Sequence, residues 1–375
     1  MRVWHPAGEL RELDWDAGAT MPTADEMLSA EAVTGLARCL RRAGRTPTAV
    51  RRSVRALPGT SFSERGQLVR DALLADLPER YAEVDALLRT ALADPEFTGW
   101  MIWPVTEAVA RRALPDSFDA GMDLLAALTP RLTAEFAIRT FLDANLDRGL
   151  ARALEWTGHP DEHVRRLASE GTRPRLPWAR RVRAILDRPE CTVPVLDALH
   201  ADESEYVRRS VANHLNDISR GDPALAVRTA GRWQDTSPAV VRHALRTLVK
   251  QGDPEALALL GFRPVTGLTV TGPELVAAEV AMGGRLDFSF SLTNTTAESV
   301  RLAVDYVIGH RKANGTLSPK VFKLTTRVLD PGASVAVTRS HSFRPISTRV
   351  YYPGEHTISL QVNGTAYEAV SFTLS

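Results

Sequence analysis

Hydrophobic and polar positions follow two different periods along the chain, and the change falls near residue 263. Before it, alanine, leucine and arginine dominate, and apolar residues recur three or four positions apart. This spacing predicts helices at about residues 64–76, 79–93, 105–113, 119–128, 131–145 and 149–156. Residues 1–60 are less regular, although "ADEMLSAEAVTGLARCLRRAG" favours a helix pair.

A weak internal repeat supports a specific helical architecture. The stretches "PDEHVRRLAS" (160–169), "ESEYVRRSVAN" (203–213) and "TSPAVVRHAL" (236–245) each place a polar N-cap residue before Val-Arg and an apolar helix. The Val-Arg steps are 43 and 34 residues apart, which is typical of HEAT-like helix pairs. Stacked pairs bury one continuous core and leave a concave groove.

The remaining chain alternates with period two, in short runs such as "RLDFSFSLTNTT", "KVFKLTTRVL" and "HTISLQV". About seven such runs, bounded by Asn, Gly and Pro, predict an immunoglobulin-like β-sandwich. The expected fold is therefore a HEAT-like α-solenoid followed by this sandwich. The expected division is an N-terminal helical segment at 1–61, the solenoid at 62–262 and the sandwich at 263–375.

Composition narrows the possible partners. Apolar residues make up 44% and charged residues 24% of the chain, and the net charge is +1. A nucleic-acid partner would therefore have to meet a local basic face. Cys39 and Cys191 form no metal-ligand pattern, and no run approaches the length of a membrane span or a signal-peptide core. We expect a cytoplasmic protein that acts as a monomer, without a membrane partner.

Common catalytic motifs are absent from the sequence. It contains no GxGxxG motif followed by an acid, no P-loop, no HExxH, no paired CxxC and no GxSxG elbow. Any enzyme chemistry would then depend on carboxylates and aromatic residues, with no cofactor and no metal.

The stretch "SEGTRPRLPW" contains the first candidate residues, Glu170 and Trp178. Glu170 falls in the last turn of a helix, where the macrodipole disfavours a negative charge. Two prolines then stiffen the chain before Trp178, which indicates a rigid carboxylate–aromatic unit. The alternatives are a surface ion pair of Glu170 with Arg173 or Arg166, and a tryptophan packed in the core.

Two further carboxylates are candidates. Asp217 lies one repeat later in "SVANHLNDIS", where its alternative role is to cap the turn at 218–222. Glu135 lies in "PRLTAEFAIRTFL", where Thr133 could cap a helix and place Glu135 in its first turn. Carboxylates and a tryptophan beside arginines suit a cation on an anionic backbone, such as an N-alkylated DNA base. This combination favours an alkylation-specific DNA glycosylase.

Several longer stretches resemble one family. "HVRRLASEGTRPRLPWARR", "FTGWMIWPVTEAV", "EYVRRSVANHLNDISRGDP" and "VRHALRTLVKQGDPEALALLGF" are similar to the AlkC family of bacterial DNA glycosylases, whose scaffold resembles that of the AlkD family. "YVIGHRKANGTLSPKVFKLT" and "TRVYYPGEHTISLQVNG" resemble the immunoglobulin-like domain of a subset of that family. The resemblance covers about residues 62–375.

The resemblance implies an activity and site residues. It implies a monofunctional glycosylase that removes 3-methyladenine, and also 1-methyladenine and 3-methylcytosine, from double-stranded DNA by bending it without full base flipping. The family's acids fall on Glu135, Glu170 and Asp217, and its aromatic on Trp178. Glu170 and Asp217 would stabilise the sugar cation and position water, Trp178 would contact the deoxyribose or base, and Glu135 would support the site.

Basic residues near these positions are expected to contact DNA phosphates. The expected contacts are Arg139, Arg173 and Arg175 in the solenoid, and His310, Arg311, Lys312 and Lys320 in the hairpin "GHRKANGTLSPK". The alternative for the hairpin is an ordinary solvated turn.

Two other functions stay open. One is a non-catalytic HEAT-repeat binder of DNA or protein. The other is an AlkD-like preference for bulkier or N7 adducts, because lesion range depends on the shape of the groove.

Overall fold

The computed structural model describes residues 2–4, 10–12, 23–346 and 349–375. The chain begins with two short antiparallel strands, β1 (Arg2–Trp4) and β2 (Leu10–Glu12). The first eight helices that follow are α1 (Ala24–Met27), α2 (Ala30–Arg42), α3 (Thr48–Ser53), α4 (Phe62–Asp76), α5 (Tyr81–Leu92), α6 (Ile102–Ala113), α7 (Phe118–Leu128) and α8 (Ile138–Ala144).

The later helices carry the repeat seen in the sequence. They are α9 (Leu146–Trp156), α10 (Glu162–Gly171), α11 (Arg183–Asp187), α12 (Val193–Leu199), α13 (Glu205–Ile218), α14 (Pro223–Arg232), α15 (Pro238–Ala244), α16 (Arg246–Gln251) and α17 (Pro254–Leu259). Within the described ranges, no helix is both long and apolar enough to cross a membrane.

Local sequence explains where the helices begin. Ser61 and Glu64 form a capping box at the start of α4, in which each side chain bonds the other residue's backbone N–H. Asp161 caps α10 by accepting a hydrogen bond from the N–H of His163. Each cap satisfies backbone donors that the first helical turn leaves unpaired.

One helix prediction is wrong. The stretch 131–145 was expected to be one helix capped by Thr133, but α8 begins only at Ile138. The Thr133 hydroxyl accepts from the N–H of Glu135 at 3.2 Å, two residues on, instead of three residues on as in a capping box. Glu135 therefore lies in a turn before α8, where Thr133 bonds its backbone.

The C-terminal part is a β-sandwich. Its strands are β3 (Leu268–Leu275), β4 (Glu279–Val280), β5 (Arg285–Asn294), β6 (Val300–Arg311), β7 (Leu317–Leu329), β8 (Ser334–Ser342), β9 (Gly354–Val362), β10 (Thr365–Ala366) and β11 (Val370–Leu374). One sheet has the order β4-β11-β9-β6-β7 with β10 beside β9, and the other has the order β3-β5-β8. The predicted fold, an α-solenoid followed by an immunoglobulin-like sandwich, is confirmed.

The chain divides into two compact units, one of residues 1–222 and 235–243 and one of residues 223–234 and 244–375. In the second unit the last helices pack with the sandwich. Asn363, at a φ of 45°, donates to the carbonyls of Arg263 and Arg301. Arg301 also donates to the carbonyl of Leu260, so the end of α17 is tied to β6.

The histidine of the predicted DNA-binding hairpin lies inside the sandwich. His310 is 8% exposed, and its Nε2 accepts from Nη1 of Arg349 at 2.9 Å. Burial lowers the pKa of His310 to about 3, with a contribution from the Arg349 charge, so the imidazole is neutral at pH 7. The phosphate contact predicted for His310 is therefore wrong, because the side chain is buried and uncharged.

The other basic residues of that hairpin have different positions. Lys312 lies in the exposed turn, where its N–H donates to the carbonyl of Thr316. Arg311 is half-buried, and the exposed Lys320 places its ammonium 5.3 Å from the ring centre of Phe322. Contacts of these three residues with DNA stay a prediction.

Candidate active site

Five charged side chains of the solenoid form one buried row with alternating sign. The row runs Glu135, Arg166, Glu170, Arg173, Asp217, and each side chain is 5–12% exposed. Arg166 binds Glu135 through Nη1 and lies 3.4 Å from Oε1 of Glu170 through Nη2. Arg173 binds Oε1 of Glu170 through Nη1 at 2.7 Å and Oδ2 of Asp217 through Nε at 2.8 Å. Three carboxylates and two guanidiniums leave the row with one net negative charge.

Secondary structure explains how residues distant in sequence meet. Arg166 and Glu170 are one turn apart on α10 and share a face, and Arg173 follows just after that helix ends. Asp217 lies in the last turn of α13, which packs against α10. The row therefore joins the turn before α8 to α10 and α13.

Glu170 is held at both carboxylate oxygens. Oε1 accepts from Arg173, and Oε2 accepts from the Ser210 hydroxyl at 2.6 Å. Burial alone would raise the pKa of this carboxyl, but the charges of Arg166 and Arg173 and the Ser210 bond outweigh it and lower the pKa to about 2. Glu170 is therefore a fixed anion at any ordinary pH.

Asp217 is less completely bound. Oδ2 accepts from Arg173, whereas Oδ1 accepts no hydrogen bond from the described residues and is not enclosed by protein. Burial raises the pKa of Asp217 above its ordinary value, and the Arg173 charge offsets only part of this effect. Asp217 is thus the acid of this pair that has an oxygen available to a ligand or a water molecule.

A neutral histidine on α13 forms a hydrogen bond with the backbone at the end of α10. His214 is fully buried, and its Nδ1 donates to the carbonyl of Ser169 at 2.9 Å. Burial lowers the pKa of His214 to about 3, so it adds no charge to the row. Because Ser169 directly precedes Glu170, this bond fixes the backbone that carries the central carboxylate.

The loop after α10 presents Trp178 to solvent. Trp178 is 55% exposed and has a φ of 62°, a left-handed conformation that is uncommon for a bulky residue. The preceding Leu176 is 3% exposed and anchors the loop in the core. The expectation of a rigidly held aromatic therefore fits this loop better than the alternative of a core tryptophan.

Arg139 holds this loop from inside the protein. It is fully buried and donates to the carbonyls of Gly171, Arg173 and Arg180 at 3.0, 2.9 and 2.6 Å. The phosphate contact predicted for Arg139 is therefore wrong, because a buried guanidinium committed to backbone carbonyls does not reach DNA.

The two arginines within the loop also differ from each other. Arg173 was expected to bind a flanking phosphate, but its Nε and Nη1 are bound to the two carboxylates and the residue is 8% exposed. That prediction is corrected, since Arg173 is a member of the row. Arg175 is half-buried and forms no ion pair among the described residues, so its phosphate contact stays a prediction.

Sequence reasoning did not assign Ser210 and His214, which support the row. They lie seven and three residues before Asp217 on α13, so the three side chains share one face. This polar stripe at helical spacing was the available signal. Tyr206, one turn earlier, lies with its ring centre 5.2 Å from the Arg166 guanidinium, and no motif indicated this contact.

One group in the described ranges has donor atoms close enough for a metal ion, formed by Cys39, Asp94 and Glu96. Arg42 donates to both carboxylates, at 2.9 and 2.8 Å. Burial raises the pKa of Cys39 to about 11, and the Asp94 charge adds to the shift, so the thiol stays protonated. The cluster is accounted for as an ion pair.

Comparison with known proteins gives four matches of interest. Residues 269–375 match the model of the YhaZ C-terminal Ig-like domain, and residues 192–261 match HEAT repeats. The chain is 36% identical over 318 residues to the uncharacterized protein YhaZ of Bacillus subtilis, covering 84% of this chain and 88% of that one. It is 34% identical to the alkylpurine DNA glycosylase AlkC of Pseudomonas fluorescens, covering 94% of this chain and all of that one, with a TM-score of 0.87. The chain belongs to the AlkC/YhaZ family.

Membership of the AlkC/YhaZ family confirms the resemblance seen in the sequence. The AlkC structure contains DNA with an abasic-site analogue. The solenoid and the sandwich described above are thus the family's scaffold, and the row lies within the solenoid.

The row predicts that replacing Arg173 lowers the free energy of unfolding much more than replacing the nearby Arg175. Arg173→Met should lower the free energy of unfolding by about 3–5 kcal/mol, because it leaves two buried carboxylates without their shared cation. Arg175→Met, the matched control, should change it by less than about 0.5 kcal/mol. Urea unfolding followed by helical circular dichroism measures both. Equal effects of the two substitutions would contradict the structural importance of the row.

Proposed function

We propose that this AlkC/YhaZ-family protein is a DNA glycosylase that hydrolyses the N-glycosidic bond of cationic alkylated bases in duplex DNA. The expected substrates are 3-methyladenine and, beyond it, 1-methyladenine and 3-methylcytosine. The observation that carries the proposal is the row with its single net negative charge, followed along the chain by the loop that exposes Trp178. The resemblance to an AlkC structure that holds abasic-site DNA supports it.

The charge of the row suits the transition state of such a reaction. An N-alkylated base is a cation, and breaking its bond to the sugar moves the positive charge onto the deoxyribose. Preorganised negative charge stabilises the developing oxocarbenium ion. The Trp178 ring can contribute through its face, which attracts cations. Both groups therefore stabilise the transition state without a further reagent.

The structure supports different roles for the acids. Glu170, saturated by Arg173 and Ser210, acts as the fixed negative charge. Asp217, with Oδ1 unbound, holds the attacking water and accepts its proton. The water oxygen bonds to C1′ of the deoxyribose, and the electron pair of the broken C–N bond neutralises the departing base. Glu135 keeps Arg166 in place between the acids.

The position of Trp178 supports approach to DNA that has been bent without full base flipping. An exposed aromatic on a stiff loop can meet the sugar from the backbone side of the duplex. Both cations of the row are arginines, which do not form a Schiff base, and this favours hydrolysis over lyase chemistry. The expected partner is double-stranded DNA, bound by a monomer.

A second candidate function is a non-catalytic binder of DNA or protein. One observation favours it, since both oxygens of Glu170 are already bonded within the protein, as in a structural ion-pair network. Such a protein would bind DNA, or not bind it, and would leave no abasic product.

Base release distinguishes the two functions. The wild-type chain should release free 3-methyladenine from methylated duplex DNA. Glu170→Gln should slow single-turnover release about 100- to 1000-fold, because it removes charge from the site. Asp217→Asn should slow it about 100- to 10000-fold, because the amide does not accept a proton.

Asp187→Asn is the matched control, since Asp187 is an exposed partner of Arg183 outside the row, and it should release the base at the wild-type rate. Absence of release by the wild type would contradict the proposed function. Unchanged release by Glu170→Gln or Asp217→Asn would contradict the site assignment.

The two acids also predict a pH dependence. Asp217 must be ionised to accept a proton, and its pKa is raised, so the rate should fall as the pH drops through a value above that of an ordinary aspartate. Glu170 stays ionised over this range.

Single-turnover rates between pH 4 and pH 8 measure this dependence. A wild-type rate that does not fall at the acid end of this range would contradict the assignment of Asp217 as the group that accepts the proton.

A further inference from the structure

Helix α6 is buried on all sides except for one narrow face. Of its twelve residues, those not fully buried are Trp103, Glu107, Arg111 and Arg112, and the first three are spaced four apart on one face. Trp100, one turn before Trp103, is also half-buried. We name Trp100, Trp103, Glu107 and Arg111 the α6 stripe.

The carboxylate of the stripe has no partner in the described part of the chain. Glu107 accepts no hydrogen bond and lies within 4 Å of no cation, although the charges of Arg70, Arg111 and Arg180 act on it. Burial raises the pKa of Glu107. Its oxygens are not among the enclosed, unpaired atoms of the described residues, so this carboxylate is open to a ligand with a hydrogen-bond donor.

Aromatic rings make up the part of the stripe before Glu107. Trp103 stacks on Phe62 with ring centres 4.3 Å apart, and Trp100 meets Phe62 edge-on at 5.3 Å. Phe136 lies 6.2 Å from Trp103, and Phe136 directly follows Glu135 of the row. All four rings are half-buried, so they form a partly exposed aromatic surface, and Phe136 joins it to the row through the backbone of Glu135.

The chemistry of this surface fits one unpaired nucleotide. Aromatic side chains receive the face of a base, guanidiniums receive its phosphate, and a carboxylate accepts from its pairing edge. Arg70 and Arg180 are paired with Asp71 and Asp143, so the exposed Arg111 is the cation of the stripe. Arg111 disfavours a cationic ligand, and Glu107 disfavours an anionic peptide. In a duplex the pairing edges are occupied, so the base must have lost its partner.

We propose that the α6 stripe binds the orphan base opposite the lesion, with Glu107 accepting its imino N–H. Guanine and thymine carry such an N–H at the centre of the pairing edge, whereas adenine and cytosine carry a lone pair there. Thymine and guanine are the partners of adenine and cytosine, so the subsite suits the strand opposite alkylated adenine or cytosine. This inference rests on the proposed function, since it presumes that DNA occupies the row.

The test compares two purines of similar size opposite an abasic-site analogue. Fluorescence anisotropy with the full chain should give about tenfold tighter binding for guanine than for adenine, since guanine donates its imino and amino hydrogens to Glu107. Glu107→Gln should reduce the difference to about twofold or less, because an amide can turn to match either base. Asp119→Asn, which alters an exposed acid of α7 paired with Arg148, is the control and should keep the tenfold difference.

Three results would overturn this inference, and a fourth would refute the proposed function instead. Equal wild-type affinity for the two duplexes would overturn the inference, and so would a preference that survives in Glu107→Gln. A parallel loss on fully paired duplex in that variant would also overturn it, since it would show a general effect on folding or on backbone binding. A wild-type chain that binds no DNA would instead refute the proposed function.

Discussion

Charge alternation in a dry environment is the constraint on which this structure depends. Removing five charged side chains from water costs several kcal/mol for each ion, and only close opposite charges repay that cost. Arg166 and Arg173 meet this requirement by each bridging two carboxylates, which couples the turn before α8 to α10 and α13. With two arginines and three acids, the row has a net charge of −1. In the proposed function, that residual negative charge is what stabilises a cation.

Two fully buried side chains hold the backbone around the row. Arg139 binds three carbonyls in and after the last turn of α10, and His214 binds a fourth. Held in this way, the loop can keep Trp178 in a left-handed conformation that a free chain would leave, at a cost on the order of 1–2 kcal/mol. Strain of this kind persists where the surroundings over-determine it, which is common at functional sites.

The sequence predicted the features that depend on interactions between neighbours along the chain. The helical and strand periods, the Gly and Pro breaks around Glu170, and the hairpin turn at Asn314-Gly315 all involve neighbours along the chain. The pairing of Arg173 with Asp217 spans 44 residues and depends on how α10 packs on α13, so no local pattern contained it. Arg139 and His310 were misassigned for the same reason, because their burial is set by long-range packing, and a basic side chain in sequence does not show whether it faces solvent.

In the proposed mechanism, the row retains a net negative charge matched to a cation that forms on the sugar. The most direct measurement compares the affinity of the chain for two duplexes, one containing a cationic iminosugar abasic analogue and one containing its neutral tetrahydrofuran counterpart. We expect about 10- to 100-fold tighter binding of the cationic analogue at low salt, and loss of that preference in Glu170→Gln. Equal affinity of the wild type for the two duplexes would contradict it.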